Sequence, residues 1–303
     1  MDDVAKPAFR PKCPNCKSPT EPGNPFCTQC GLDLLYKPNS RGRGRCVYCP
    51  NVAPLTEEHV YGKWIAKAFG RRFPSTVRTL TRPNRIDLSP NAIMHRNVLE
   101  RRGDPADRTV YNVCKTCNNG WMSRLHIEAK PLVMALANGD WPEFSDAQCK
   151  SLARWVTMIS INIECLYGML FTPREQRLTL MNGEMPETWQ ISIARTMDIR
   201  CFGSHWNCPL RLKIDPTEEH EEARIVRCGS CYFCVEQAVF YAVRSDTASE
   251  LLEFFSRGDL PAIPETTRPV WPDNEHPDLR PNLFLVQQDL YNFHERLGTT
   301  AKS

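Results

Sequence analysis

Four Cys-x-x-Cys pairs stand in the first 117 residues, at Cys13/Cys16, Cys27/Cys30, Cys46/Cys49 and Cys114/Cys117. Two residues between thiols let one tight turn present both sulfurs, and Zn²⁺ takes four such ligands tetrahedrally at about 2.0–2.3 Å. Pro14, Gly31 and Asn118 flank the pairs, as expected of knuckles that turn the backbone toward a metal. Four pairs make two complete four-cysteine sites. Spacing leaves their pairing open: Cys13/Cys16 with Cys27/Cys30 encloses ten residues, Cys27/Cys30 with Cys46/Cys49 encloses fifteen, and a ribbon tolerates either. Shortly after the third pair comes Thr56-Glu57-Glu58-His59-Val60. An imidazole changes charge near neutral pH and can take a proton from water, while carboxylate and amide oxygens suit a hard divalent cation.

The order Cys46-Val47-Tyr48-Cys49, then Glu58-His59, then Cys114-Lys115-Thr116-Cys117-Asn118-Asn119-Gly120-Trp121 resembles an HNH endonuclease over about residues 46–130. The resemblance implies a ββα unit carrying one catalytic metal and clamped by a separate zinc held by both knuckles. It implies that Cys46, Cys49, Cys114 and Cys117 form one structural zinc site and Cys13, Cys16, Cys27 and Cys30 the other. It places Glu58 as an acidic ligand of a catalytic Mg²⁺ or Mn²⁺, Asn118 as the second ligand and His59 as general base in phosphodiester hydrolysis. DNA is the substrate this likeness favours. The family's middle Asn falls on Thr109, with Asn112 and Asn97 as substitutes in buttressing the loop; His126 is a reserve ligand.

Adjacent residues of a regular strand point to opposite faces, so Glu58 and His59 require either an irregular turn or a division of labour between ligand and base. The Arg cluster at Arg71, Arg72, Arg78, Arg82, Arg85, Arg96, Arg101 and Arg102 offers phosphate contacts near the site. Trp64, Phe69 and Trp121 read as core, and Cys149 and Cys165 as ordinary helix positions. Cys228, Cys231 and Cys234, with Cys201, His205 and Cys208 upstream, could supply a third metal site, but a strand over 225–235 makes them buried cysteines instead.

Elements must hold these groups in place. Residues 1–45 read as a zinc ribbon ending in a flexible basic linker, Arg41-Gly42-Arg43-Gly44-Arg45. Residues 46–140 read as the HNH module, with a short helix from Tyr61 to Phe69, an extended insertion at 71–108 and a helix from Ser123 to Ala137 interrupted by Pro131. Residues 141–303 read as an α+β domain. Ser145 caps a helix carrying Leu152, Trp155, Val156, Ile159 and Ile163, alternation marks strands at 190–193, 211–214 and 238–243, and a last helix is expected from Val286 to Leu297. The fold class is α+β.

The 303 residues are 41% hydrophobic and 24% charged, ordinary globular values. The net charge is +3, distributed as +4 over residues 1–45, +6 over 46–140 and −7 over 141–303. A basic front half suits a polyanion, and the acidic remainder offers a surface for a protein or ligand partner. No run of 18 apolar residues predicts a membrane span, and Met1–Pro7 lacks the apolar core of a secretory signal. Fifteen cysteines are then expected to serve metals in a cytoplasmic setting rather than disulfides. Oligomeric state is not written in the sequence.

Overall fold

A computed structural model describes residues 11–37, 41–69, 76–81, 97–102, 108–196, 205–214, 224–245, 268–272 and 284–285. The expected helix at 286–297, and Arg71, Arg72, Arg82, Arg85, Arg96 and Cys201, lie outside them. The fold is mixed α+β, built on antiparallel sheets.

Three strands, β1 (Arg43–Arg45), β2 (Val52–His59) and β5 (Thr109–Cys114), form an antiparallel sheet in the order β1-β2-β5. Between them lie α1 (Lys63–Phe69) and a hairpin of β3 (Thr76–Thr81) and β4 (Asn97–Arg102), which gives the 71–108 insertion a regular element of its own. The Arg/Gly segment expected as a linker is instead the edge strand β1. Arg43, Gly44 and Arg45 pair with Pro54, Ala53 and Val52, so the chain entering the third knuckle is drawn into the sheet by backbone hydrogen bonding.

β5 runs straight into a helical stretch, α2 (Lys115–Cys117), a segment kinked at Gly120 (Asn118–Met122) and α3 (Ser123–Asn138). Pro131 does not interrupt α3. The carbonyl it leaves without an intrahelical partner belongs to Ile127, which is 70% exposed, and Pro131 is exposed too, so water can satisfy that group. Gly139 ends the helix at φ +87°, and a Cβ there would stand 2.9 Å from the side chains of Arg195 and Gln237.

α4 (Asp146–Leu166) is the central element. Ser145 caps it as expected, in a reciprocal box with Gln148. Burial is nearly complete around its circumference from Leu152 to Cys165, because α3 and the first sheet lie on one side and a second sheet on the other. That sheet has the order β10-β6-β9-β8-β7, with β6 (Trp189–Thr196), β7 (His205–Ile214), β8 (Arg224–Val235), β9 (Ala238–Ser245) and β10 (Arg268–Trp271); β11 (Phe284–Leu285) adds parallel to β6. Trp155 of α4 meets Phe233 and Phe240 edge-on at 5.6 and 5.5 Å. One buried cluster therefore extends from Cys46 through α3 and α4 to Val270, crossing residue 140.

The ribbon is docked as well. Asp33 takes a 2.8 Å salt bridge from Arg177 of α5 (Arg174–Met181), Arg177 also donates to the Val47 carbonyl, and Tyr36 Oη donates to the Cys165 carbonyl at 3.3 Å. Among the described residues no helix is long and apolar enough to cross a membrane.

Candidate metal centres and candidate active site

The eight knuckle cysteines assemble into two quartets, Cys13/Cys16/Cys27/Cys30 and Cys46/Cys49/Cys114/Cys117, with the sulfurs of each within 4.8 Å of one another. Measured separations are 3.7 Å for Cys13–Cys30, 3.5 Å for Cys16–Cys27 and 3.6 Å for Cys49–Cys114. A tetrahedron of Zn–S bonds near 2.3 Å has edges of about 3.8 Å, so both quartets are compatible with zinc. In the ribbon both knuckles turn alike: the residue after the second cysteine takes positive φ (Lys17 at 63°, Gly31 at 74°), and Lys17 and Gly31 N–H bond back to the carbonyls of Cys13 and Cys27. Backbone N–H groups also point at sulfur, from Asn15 to Cys13 and from Cys114 to Cys46, each at 3.4 Å.

Electrostatics lead to the same donor chemistry. A side-chain hydrogen bond from Cys117 draws the Cys46 thiol down to about 5, while burial pushes Cys49 up to about 11. Against the opposing effect of burial, hydrogen bonds from Ser18 and from Cys27 and Cys30 bring Cys16 down to about 7. Crowded thiols of this kind cannot all ionise unless a cation compensates them. Among the described residues no third group of His, Cys, Asp or Glu forms such a cluster. Cys228, Cys231 and Cys234 lie on β8 and are all buried, Cys231 facing the main core and Cys234 packed with Ala194 and Val239 on the other face.

The second quartet sits where β2, β5 and the helix converge. Cys114 pairs with Leu55, and five residues further from the knuckle along β5 Thr109 pairs with His59. A bulge between Thr56 and Glu57 shifts the register, after which Glu57, Glu58 and His59 pair regularly with Tyr111, Val110 and Thr109. The end of β2 is thus a true strand with two faces. Glu57 is exposed and His59 half-buried on one face; Glu58 is buried beside the fully buried Val110 on the other.

On the outer face, Thr109 Oγ1 donates to Glu57 Oε1 at 2.9 Å. Asn118, the first residue past the quartet, donates through Nδ2 to Thr56 Oγ1 at 3.0 Å and to the Glu57 carbonyl at 3.2 Å. The quartet and the first helical turn after it, which is kinked at Gly120 (φ −93°, ψ −110°), bring Asn118 against the bulge of β2, 62 positions away in sequence. Asn112 is elsewhere: it is buried, with its amide 3.5 Å from Asn162 of α4. Asn97 opens β4, in the separate hairpin of the insertion.

On the inner face, Glu58 Oε1 lies 3.5 Å from His126 Nε2 of α3. The other ring nitrogen, Nδ1, accepts the indole N–H of Trp155 at 3.1 Å and that of Trp64 at 3.4 Å. A nitrogen that accepts two donors carries no proton, so Nδ1 acts as acceptor; Nε2 is buried near the Glu58 carboxylate and makes no hydrogen bond of its own among the described residues. The ring also abuts Gly62, where φ is +86° and a Cβ would stand 2.6 Å from His126 Cε1. Glycine is required there for both conformation and space.

Sequence reasoning singled out Glu58, His59 and Asn118 and passed over Glu57, although a period of two places Glu57 and His59 on one face. The partnership of Glu58 with His126 had no local signal, since it joins residues 68 positions apart. Set against protein-family models, curated proteins and solved structures, the chain matches none of them.

Proposed function

We propose that this chain is a divalent-metal-dependent endonuclease that hydrolyses phosphodiester bonds, with DNA as its substrate and His59 as general base. The observation that supports it best is the hydrogen bonding of Asn118 to Thr56 and Glu57. It joins the first turn after a zinc-compatible quartet to the strand end that carries two carboxylates and an imidazole. The two quartets are read as structural Zn²⁺ sites, the second of which holds this junction.

On the face of His59 the hard oxygen donors that Mg²⁺ or Mn²⁺ prefers are those of Glu57 and Asn118, whereas Glu58, the acidic ligand the resemblance implies, is turned to the opposite face. When bound, such a cation contributes Lewis-acid stabilisation of charge developing on the phosphate. The chain's own residues do the rest. His59, half-buried at the end of β2, takes a proton from the attacking water. Thr109 orients the Glu57 carboxylate, the buttressing role that the family resemblance assigns to an asparagine. His126, fixed by Trp64 and Trp155, places its Nε2 3.5 Å from the buried Glu58 carboxylate.

The rival reading is a zinc-bearing protein that binds nucleic acid or a partner and has an idle HNH-like site. One observation favours it: Glu58 is turned inward onto His126. Cleavage separates the two readings. Supercoiled plasmid incubated with Mg²⁺ or Mn²⁺ is expected to be nicked or linearised by the wild type and spared by His59→Ala; cleavage undiminished in that variant would overturn the assignment of His59, and a wild type that cleaves with neither ion would leave the rival reading in place.

A further inference from the structure

Between the ribbon and the first sheet lies a cleft of about 520 Å³, bounded by the ribbon's exit segment, by β1 with the turn after it, and by the start of α5. Its walls combine two properties that seldom coincide on a solvated surface. The first is uncompensated positive charge. Arg43 and Arg45 are two residues apart on β1 and share a face; both are exposed, as is Arg174, and none of the three makes an ion pair among the described residues. Of the acids in the lining, Asp33 is engaged by Arg177 at 2.8 Å, which leaves Glu175.

The second property is exposed apolar surface. Among the described residues three large hydrophobic side chains are exposed, and two of them, Leu35 (47%) and Val52 (50%), line this cleft. Val52 pairs directly with Arg45, so it stands on the same face of the sheet as the two arginines. Leu35 faces it from a rigid wall: Asp33 Oδ1 accepts the N–H groups of Leu35 and Tyr36, and Tyr36 Oη is tied to α4. Apolar surface held opposite a row of arginines matches a polymer with alternating anions and flat, weakly polar rings.

We propose that this cleft is a binding site for single-stranded nucleic acid, with phosphates on Arg43, Arg45 and Arg174 and unstacked bases against Leu35 and Val52. Grooves of this kind bind single strands by charge along the backbone and by apolar contact with bases. The cleft lies at the opposite end of β2 from His59. Seven residues at about 3.3 Å each separate the two by roughly 23 Å, so a bound strand is gripped well away from the candidate active site. The site stands whether or not His59 cleaves.

The test uses the full chain with both zinc ions bound and without Mg²⁺ or Mn²⁺, so that binding is read apart from cleavage. Fluorescence anisotropy with a labelled 12-nucleotide DNA strand, the RNA of the same sequence and the corresponding duplex gives affinities over a salt series. Single strands are expected to bind more tightly than the duplex, and the DNA and RNA arms tell which sugar is preferred. Arg43→Ala/Arg45→Ala/Arg174→Ala should weaken single-strand binding at least about tenfold and flatten the salt slope by about 2, near 0.7 for each phosphate that is no longer neutralised. Leu35→Ala/Val52→Ala should weaken binding about fivefold or more with the slope unchanged, since it removes apolar surface under the bases and no charge. Photo-crosslinks from 4-thiothymidine should map to residues 33–54. Two zinc ions per chain and an unchanged melting temperature show that the variants fold. The proposal is overturned by a wild type that binds no single strand, by variants that bind as the wild type does, or by crosslinks confined to other segments. Binding through the cleft by a protein that cleaves nothing contradicts only the endonuclease reading; cleavage by a protein whose cleft variants bind normally contradicts only this one.

Discussion

The two faces of β2 carry adjacent residues and opposite designs. Outward, Glu57, His59, Thr109 and Asn118 meet solvent; Thr109 donates one hydrogen bond to Glu57, and Asn118 donates to Thr56 and to the Glu57 carbonyl. Inward, Glu58 lies in the core against His126, whose ring is held by two tryptophan indoles and pressed on Gly62. The difference teaches how one strand can hold a half-buried imidazole steady beside a packed face. The inner face is held by packing and by the two indole hydrogen bonds to His126, and the outer face inherits its position.

The most drastic way to break the contrast is to remove what both faces share. Cys117→Ser opens the second quartet, and a four-cysteine zinc contributes on the order of 10–16 kcal/mol of apparent folding free energy. Metal analysis should then find one zinc per chain in place of two, and urea unfolding should lose its cooperativity across residues 46–140; retention of two zinc ions would show that the quartet is misassigned. Next in size, Trp155→Ala strikes the inner face alone. The side chain is fully buried, and its loss should cost about 3–5 kcal/mol in denaturant unfolding, with any fall in cleavage following the unfolded fraction.

His59→Ala strikes the outer face alone. Cleavage rate should fall about 10²–10⁴-fold, which is about 3–5 kcal/mol of barrier, with no change in the unfolding midpoint. A midpoint that drops with it would mean that the two faces are not separable. Glu57→Gln and Glu58→Gln sharpen the comparison further. Each keeps the shape of the side chain, so the one that raises the Mn²⁺ concentration needed for half-maximal cleavage identifies the carboxylate that meets the cation. The smallest effect expected is that of Thr109→Val, which removes one exposed hydrogen bond worth about 0.5–1.5 kcal/mol; a several-fold slower reaction with unchanged stability would match its orienting role.

Much of this design is legible in the residues. Cys-x-x-Cys spacing reflects the reach of one backbone turn, which is a local property, and all eight knuckle cysteines stand in quartets. Ser145 with Gln148 marks a helix start for the same reason, as does the alternation in β6 and β9 for strands. What escaped the reading depends on long-range partners. The Arg/Gly segment has a linker's composition, yet an unpaired edge on β2 makes it β1. Pro131 has a helix breaker's chemistry, yet the carbonyl it orphans belongs to the exposed Ile127 and α3 continues. The alternation of Glu57, Glu58 and His59 was readable, but which face would be buried depended on His126 and Trp155, brought there by α3 and α4.

The most direct measurement is single-turnover cleavage of supercoiled plasmid by the full chain with Mn²⁺, with wild type and His59→Ala run in parallel at equal zinc content. Nicked or linear product from the wild type, with the variant slower by two orders of magnitude or more, is the result this account predicts. Equal rates for the two proteins, or intact plasmid with both, would contradict it.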